Sequence, residues 1–335
     1  MDKPFKIAIL GAGRWGTHLI RNFLENPQTE VVAVVDPNPD RLEAMKTRYQ
    51  LPDSVQLTED WQGVLGGEEV ELAAIATPAS THYEIINYAL RQNCHVLAEK
   101  PLTLDAEECL ELCRLAEQQQ CQLMVDHTYL FHPVVQRGKE ILSSGAVGEL
   151  RYGYATRTHL GPVRQDVNAL WDLAIHDLAI FNHWLGETPV EVEAIGDTWL
   201  QPGLPDVVWV KLIYPSGFKA TLHLCWLNPD KQRRLAVVGS QGTLIFDELS
   251  SDPLVVQQGH FEVEDGNFTP VGVNREVIAT PPGEPLKAVC DRFIESVEQS
   301  QPYSQSSGWV GADLVRTLQQ IQSKIKNVGN GELFS

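Results

Sequence analysis

In the segment WDLAIHDLAIFNHWLG, residues 171–186, Asp172 and His176 stand four apart and His183 follows seven later. Residues four apart share a helix face. Imidazole is the side chain whose ordinary pKa lies nearest neutrality. His176 can therefore take a proton from an alcohol, or return one to an alkoxide. A carboxylate at Asp172 would stabilise the imidazolium form or touch the substrate beside it. A catalytic face, a metal site and a merely wetted face all begin from this spacing. A metal is the least expected: His183 lies about 10 Å along the axis from His176, and no other ligands converge in the sequence. His183, just before Gly186, is expected to serve the helix C-terminus, where the dipole favours such a side chain. Asp177, about a quarter turn round from His176, is expected to be structural.

The second constellation is IAILGAGRWG, in which Gly11, Gly13 and Gly16 form G-x-G-x-x-G after an apolar strand and before a helix. In that context the first glycine permits the turn, the second lets a pyrophosphate approach, and the third packs helix on strand. The helix N-terminus, with Arg14 and Trp15 in its first turn, then faces the phosphates. Twenty residues on, EVVAVVD ends at Asp36, placed to accept hydrogen bonds from an adenosine ribose and to repel a 2′-phosphate. The expected cofactor is NAD, with NADP left open because Arg41 sits on the following helix. Further strands end in ATPASTH and in AEKP. The carboxyl edge of a parallel sheet is where ligands bind, so Thr77, Pro78, His82, Glu99 and Lys100 join the cofactor set. Taken alone, His82 is expected to be structural rather than a cofactor contact. An ammonium at Lys100 can orient and polarise a hydroxyl.

These residues need a scaffold. Strands alternating with helices through residue 124 predict a parallel sheet covered on both faces. Beyond it the chain is strand-rich, with helices near 133–143, 285–299 and 309–326. The expected architecture is α/β: a Rossmann domain over 1–124, then an α+β domain over 125–335 on a large, mostly antiparallel sheet. The chain has 335 residues, enough for two domains. A formal charge of −18 argues against nucleic acid and anionic membranes as partners. No run approaches the roughly 20 apolar residues of a membrane span. The apolar start is broken early by glycine, a poor signal-peptide core. The six cysteines contain no CxxC pair and read as reduced thiols. The cytoplasm is the expected compartment.

Taken together, GAGRWG, VVDPNPDR, ATPASTH, EKP and the Asp172/His176 pair resemble the Gfo/Idh/MocA oxidoreductases: the glucose–fructose oxidoreductase, inositol dehydrogenase and rhizopine-catabolism group. The resemblance spans most of the chain. It implies that Lys100 contacts the reacting hydroxyl and helps fix the nicotinamide, that His176 is the acid/base, and that Asp172 is its acidic companion. It also implies hydride transfer at a secondary alcohol or ketone carbon of a sugar, sugar derivative or cyclitol. The substrate would lie between the domains, and homodimers or homotetramers would form through the second sheet.

Many members approach this Asp through glycines, whereas here the approach is RQDVNALWD. Its bulk resembles members acting on nucleotide sugars or related sugar-pathway compounds. Tyr129, Arg157, Arg164 and Asn168 are the candidate substrate contacts, with His127 beside them. Arginine suits a phosphate or carboxylate. Two other readings stand beside this one. In one, NAD is tightly bound and recycled within each cycle; in the other, the protein is a non-catalytic dinucleotide-binding regulator. Retention of Lys100, Asp172 and His176 together argues against the regulator.

Overall fold

The computed structural model describes residues 3–67 and 69–327. Two compact units emerge, one of residues 1–131 with 284–316 and one of 132–283 with 317–335. A single cut after residue 124 therefore misses the return of the chain to the first unit. The first run of the chain through this unit ends in CQLMVDHTYLF, residues 121–131. Only Leu123–Asp126 is extended, and Thr128–Phe131 closes into a 3-10 turn that stays with the first unit.

The first unit begins with β1 (Phe5–Leu10), α1 (Arg14–Glu25), β2 (Thr29–Val35), α2 (Pro39–Tyr49), β3 (Gln56–Thr58) and α3 (Trp61–Leu65). It continues with β4 (Leu72–Ile75), α4 (His82–Arg91), β5 (His95–Glu99), α5 (Ala106–Gln118) and β6 (Leu123–Asp126). The sheet order is β3-β2-β1-β4-β5-β6, every pair parallel. This is the doubly wound Rossmann order, whose strand order reverses beside β1. β4 and β6 are buried at every residue, as strands covered on both faces must be. Helix starts follow local chemistry. The Asn38 side chain accepts from Asp40 N–H ahead of Pro39 in the first turn of α2, and Asp105 accepts from Glu107 and Glu108 N–H at the start of α5.

The second unit holds α6 (Pro133–Ser143), β7 (Leu150–Leu160), α7 (Ile175–Leu185), β8 (Glu191–Asp197), β9 (Val207–Ile213) and β10 (Lys219–Cys225). Then come β11 (Leu227–Gly239), β12 (Gly242–Asp247), β13 (Leu254–Glu264) and β14 (Asn267–Val277). Helix α8 (Pro285–Glu298) belongs to the first unit, where it packs on α1, and the cut falls within α9 (Gly308–Lys324). β15 (Ile325–Asn327) closes the sheet, ordered β14-β13-β12-β11-β7-β10-β9-β8-β15. Only β7/β10 and β8/β15 are parallel, so the sheet is mostly antiparallel, as expected.

Burial alternates strictly along β8, the mark of a sheet with one covered face. The covered face is tight against α7: a Cβ on Gly153 would stand 2.7 Å from the Phe181 ring. The other face leaves Tyr152, Ile195 and Trp209 exposed, with Trp209 stacked on His223. A turn forms at YPSGF, residues 214–218, Tyr214 N–H donating to Phe218 O with Gly217 at φ +84°. β13 and β14 form an antiparallel hairpin exposed along most of its length. All six cysteines are buried and unpaired with one another.

Candidate active site

In the first unit the glycine loop is shaped as its spacing requires. Gly11 takes φ +98°, and a Cβ there would stand 2.5 Å from Ala76 O. A Cβ on Gly16 would meet Gly11 O at 1.7 Å, so any side chain would push α1 off the loop. Around Gly13 a Cβ would meet nothing within 4 Å. Protein packing therefore does not demand glycine at 13, whereas close passage of a ligand does. Gly13 is the N-cap residue of α1; no side chain caps that end, and its first turn holds no acidic residue. The positive end of the helix dipole is left to whatever anion approaches. Arg14 and Trp15 are exposed there.

Asp36 is buried at the end of β2. Its oxygens accept from Ala12 N–H at 2.8 Å and Asn38 N–H at 2.9 Å, tying the glycine loop to the ribose side of the fold. Each carboxylate oxygen retains a lone pair for a ribose hydroxyl. Arg41 lies 3.6 Å from the same carboxylate. The residues fit a dinucleotide: a tight turn, an open cradle, an uncapped helix N-terminus and a carboxylate at the neighbouring strand end.

Thr77 and Pro78 reach solvent beside that loop. His82 does not. It is 1% exposed, with its ring nitrogens 2.9 Å from Pro101 O, 3.2 Å from Leu102 O and 3.0 Å from Thr77 O. The expectation of a cofactor contact at His82 is corrected here: the ring braces the TP loop against the EKP loop, and its nitrogens are spent on backbone. Glu99 is buried behind Lys100, whose side chain is half-buried. Beside them are Asp126, absent from the expected site, and His127, whose imidazole is pushed down to about 3 by burial and by the Lys100 charge. Asp126 was legible only as an acid ending an otherwise apolar strand. Tyr129 is half-buried in the 3-10 turn after β6.

In the second unit, α7 is preceded by a π-helical turn over Leu170–Ala174. A uniform α-helix was expected; the wider turn carries Asp172, and such turns cluster at functional sites. From Trp171 to Phe181 every residue is buried except Asp172 and His176. Eleven residues thus bring two polar side chains to the surface and no others. Arg164 reaches this spot: it donates to Asp166 at 2.5 and 2.9 Å and approaches Asp172 at 3.5 Å. His159, near the end of β7, also feels the Asp172 charge, although burial pushes its pKa down overall. Nothing in its neighbours in sequence singled it out.

Three expectations change in this unit. Arg157 is 5% exposed and locked onto Asp177, which accepts from its guanidinium at 2.7 and 3.2 Å. It holds β7 to α7 and is not a substrate contact. Asn168 is buried: its amide oxygen accepts from Trp171 N–H at 3.3 Å and its amide nitrogen donates to Gln322 at 2.6 Å. It opens the π turn instead of lining a pocket. His183 does not serve the helix end; Lys139 Nζ donates to Trp184 O at 2.9 Å there. Burial and Lys139 push the His183 imidazole down to about 4. No cluster of three or more metal-binding side chains exists among the described residues.

A Rossmann sheet with an open glycine cradle, and an acid–histidine pair that alone reaches the surface between Trp171 and Phe181, are the parts a nicotinamide-dependent oxidoreductase would need. The profile of an oxidoreductase family with an NAD-binding Rossmann fold matches residues 5–127, and that of the GFO/IDH/MocA C-terminal domain matches residues 135–245. The chain is 36% identical over 235 residues to UDP-N-acetylglucosamine 3-dehydrogenase of Acidithiobacillus ferrooxidans, covering 70% of this chain and 72% of that protein. A putative oxidoreductase from Magnetospirillum magnetotacticum superposes with TM-score 0.79 at 31% identity, over 95% of this chain and all of the other. A solved structure of the Acidithiobacillus 3-dehydrogenase superposes with TM-score 0.82 at 23% identity, over 97% and 98% of the two chains. The chain belongs to the Gfo/Idh/MocA family of oxidoreductases.

Proposed function

We propose that this protein transfers hydride between NAD and a secondary alcohol or ketone carbon of a sugar, with a nucleotide sugar as the favoured substrate class. The observation that carries the reading is that Asp172 and His176 alone reach the surface in the run from Trp171 to Phe181. When bound, the nicotinamide supplies the hydride acceptor or donor. His176 accepts the hydroxyl proton during oxidation and returns it during reduction. Asp172 stabilises the imidazolium and orients it. Lys100 fixes the reacting hydroxyl and favours developing negative charge on its oxygen.

Arg164, 31% exposed at its side chain and already among carboxylates, is the group proposed to meet a substrate anion. The 36% identity to a UDP-N-acetylglucosamine 3-dehydrogenase supports the nucleotide-sugar class. The exposed sheet face around Ile195 and Trp209 is the proposed surface for a homodimer or homotetramer. Buried, unpaired thiols support a reducing, cytoplasmic setting, and no described helix is long and apolar enough to cross a membrane.

The test is a screen for nicotinamide reduction against polyols, aldoses, inositols, sugar phosphates and nucleotide sugars. Turnover is expected to be highest with nucleotide sugars, and preference for a neutral cyclitol would overturn that class. For the cofactor, Asp36→Ala is expected to weaken NAD by about tenfold, roughly 1.4 kcal/mol, and NADP much less. Equal losses would reverse the NAD assignment.

A further inference from the structure

Parallel pairing of β5 and β6 sets Glu99 beside Asp126 at the carboxyl edge of the first sheet. Both side chains are buried, Asp126 to 1% exposure. Each carboxyl has one oxygen provided for. Glu99 Oε2 accepts from Lys100 N–H at 3.2 Å, and Asp126 Oδ1 accepts from the Thr128 hydroxyl at 2.7 Å. The other two oxygens, Glu99 Oε1 and Asp126 Oδ2, are buried and meet no donor. The register pairs the two residues directly, so the two carboxyls lie side by side at the strand ends. Ionised carboxylates are acceptors only, and two of them side by side away from water repel. One proton between them removes the repulsion and satisfies both orphaned oxygens.

We propose that Glu99 and Asp126 hold one proton between them at neutral pH, Glu99 as the acid and Asp126 as the carboxylate, and that the resulting single negative charge positions Lys100. The surroundings agree. Burial, then the Asp126 charge, raises Glu99 well above the carboxylate range. Burial pushes Asp126 up to about 6, against the hydrogen bonds from Thr128 and Glu99 that hold it down. Lys100 favours the ionised form of both. His127 stays neutral, and Cys290 on α8, raised by burial and by both carboxyls, stays a thiol. Asp291 and Lys287 act on that thiol from its own helix. Two charges would draw the ammonium inward, and none would release it. One leaves it held at the strand end. That Lys100 works on substrate rests on the function proposed above; the shared proton does not.

The sign of the pH effect follows from the raised pKa values. The folded protein keeps protons that the unfolded chain releases. The stability contributed by the pair is therefore full below the ordinary carboxylate range and lost as pH rises through the raised values. In the full-length protein, Glu99→Gln is expected to flatten this decline above the ordinary carboxylate range. The infrared carbonyl absorption of a buried carboxylic acid, present in the wild type at neutral pH, should vanish in the same variant. Unchanged slope and spectrum would show that no proton is held.

The Lys100 role has its own readout: the titration of its ε-amine, followed by NMR of isotope-labelled methyl groups and identified by its loss in Lys100→Arg. Glu99→Gln with Asp126→Asn keeps an amide pair of the same size, removes the charge, and should lower the titration by about one unit. Identical titrations in the wild type and the double variant overturn the positioning role. Neither measurement requires turnover, so absence of activity on every sugar would refute the proposed reaction and leave both results standing.

Discussion

The two units build their proposed sites from different materials. In the first, the site is backbone: a turn that Gly11 alone tolerates, a cradle kept open at Gly13, and the uncapped end of α1. Its polar side chains, Asp36 and His82, work by bracing those loops. In the second, the site is two side chains on a helix whose remaining surface from Trp171 to Phe181 is buried, held to the sheet by the Arg157–Asp177 ion pair. A backbone site is written into glycine spacing. A side-chain site depends on which residues a tertiary contact covers, and spacing does not report that.

The widest difference between the units should appear when His176 is changed. His176→Asn is expected to cut turnover by roughly 10²–10⁴-fold while dinucleotide affinity, built in the first unit, holds. Steady-state kinetics beside a direct NAD titration checks this. Unchanged turnover would remove His176 from the chemistry, and a parallel loss of NAD binding would erase the division of labour.

That division explains what the sequence revealed. Gly11, Gly13, Gly16 and Asp36 were legible because each answers a local constraint. So was the four-residue spacing of Asp172 and His176, although the π turn that carries Asp172 was not. Arg157, Arg164 and Asn168 looked alike as polar residues near the helix. Only Arg164 reaches the Asp172 surface; Arg157 and Asn168 are consumed by Asp177, Trp171 and Gln322. Which arginine is buried depends on strand β7 meeting α7, a contact about twenty residues apart in the chain. Asp126 was missed for a similar reason, because its meaning comes from Glu99 on the neighbouring strand. The return of residues 284–316 to the first unit also has no local signal.

A second break targets the brace under the side-chain site. Arg157→Leu leaves Asp177 buried without its partner, at a cost of about 3–5 kcal/mol, measured by urea unfolding. Replacing both, Arg157→Met with Asp177→Leu, removes the buried charge altogether and should recover most of that loss. If the double variant is no more stable than the single one, packing rather than charge holds β7 to α7.

The smallest expected effect is the sharpest probe of the backbone site, because it separates two glycines three residues apart. A methyl at position 16 would collide with Gly11 O, so Gly16→Ala should cost about 1–3 kcal/mol of stability as overpacking. Its dinucleotide affinity should fall as the loop shifts. A methyl at position 13 meets no protein atom within 4 Å. Gly13→Ala should therefore leave the unfolding midpoint nearly unchanged and weaken NAD by about tenfold, because the methyl occupies space that the pyrophosphate needs. Full NAD affinity in Gly13→Ala would mean that the phosphates pass elsewhere, and the cradle would then lose its assigned occupant.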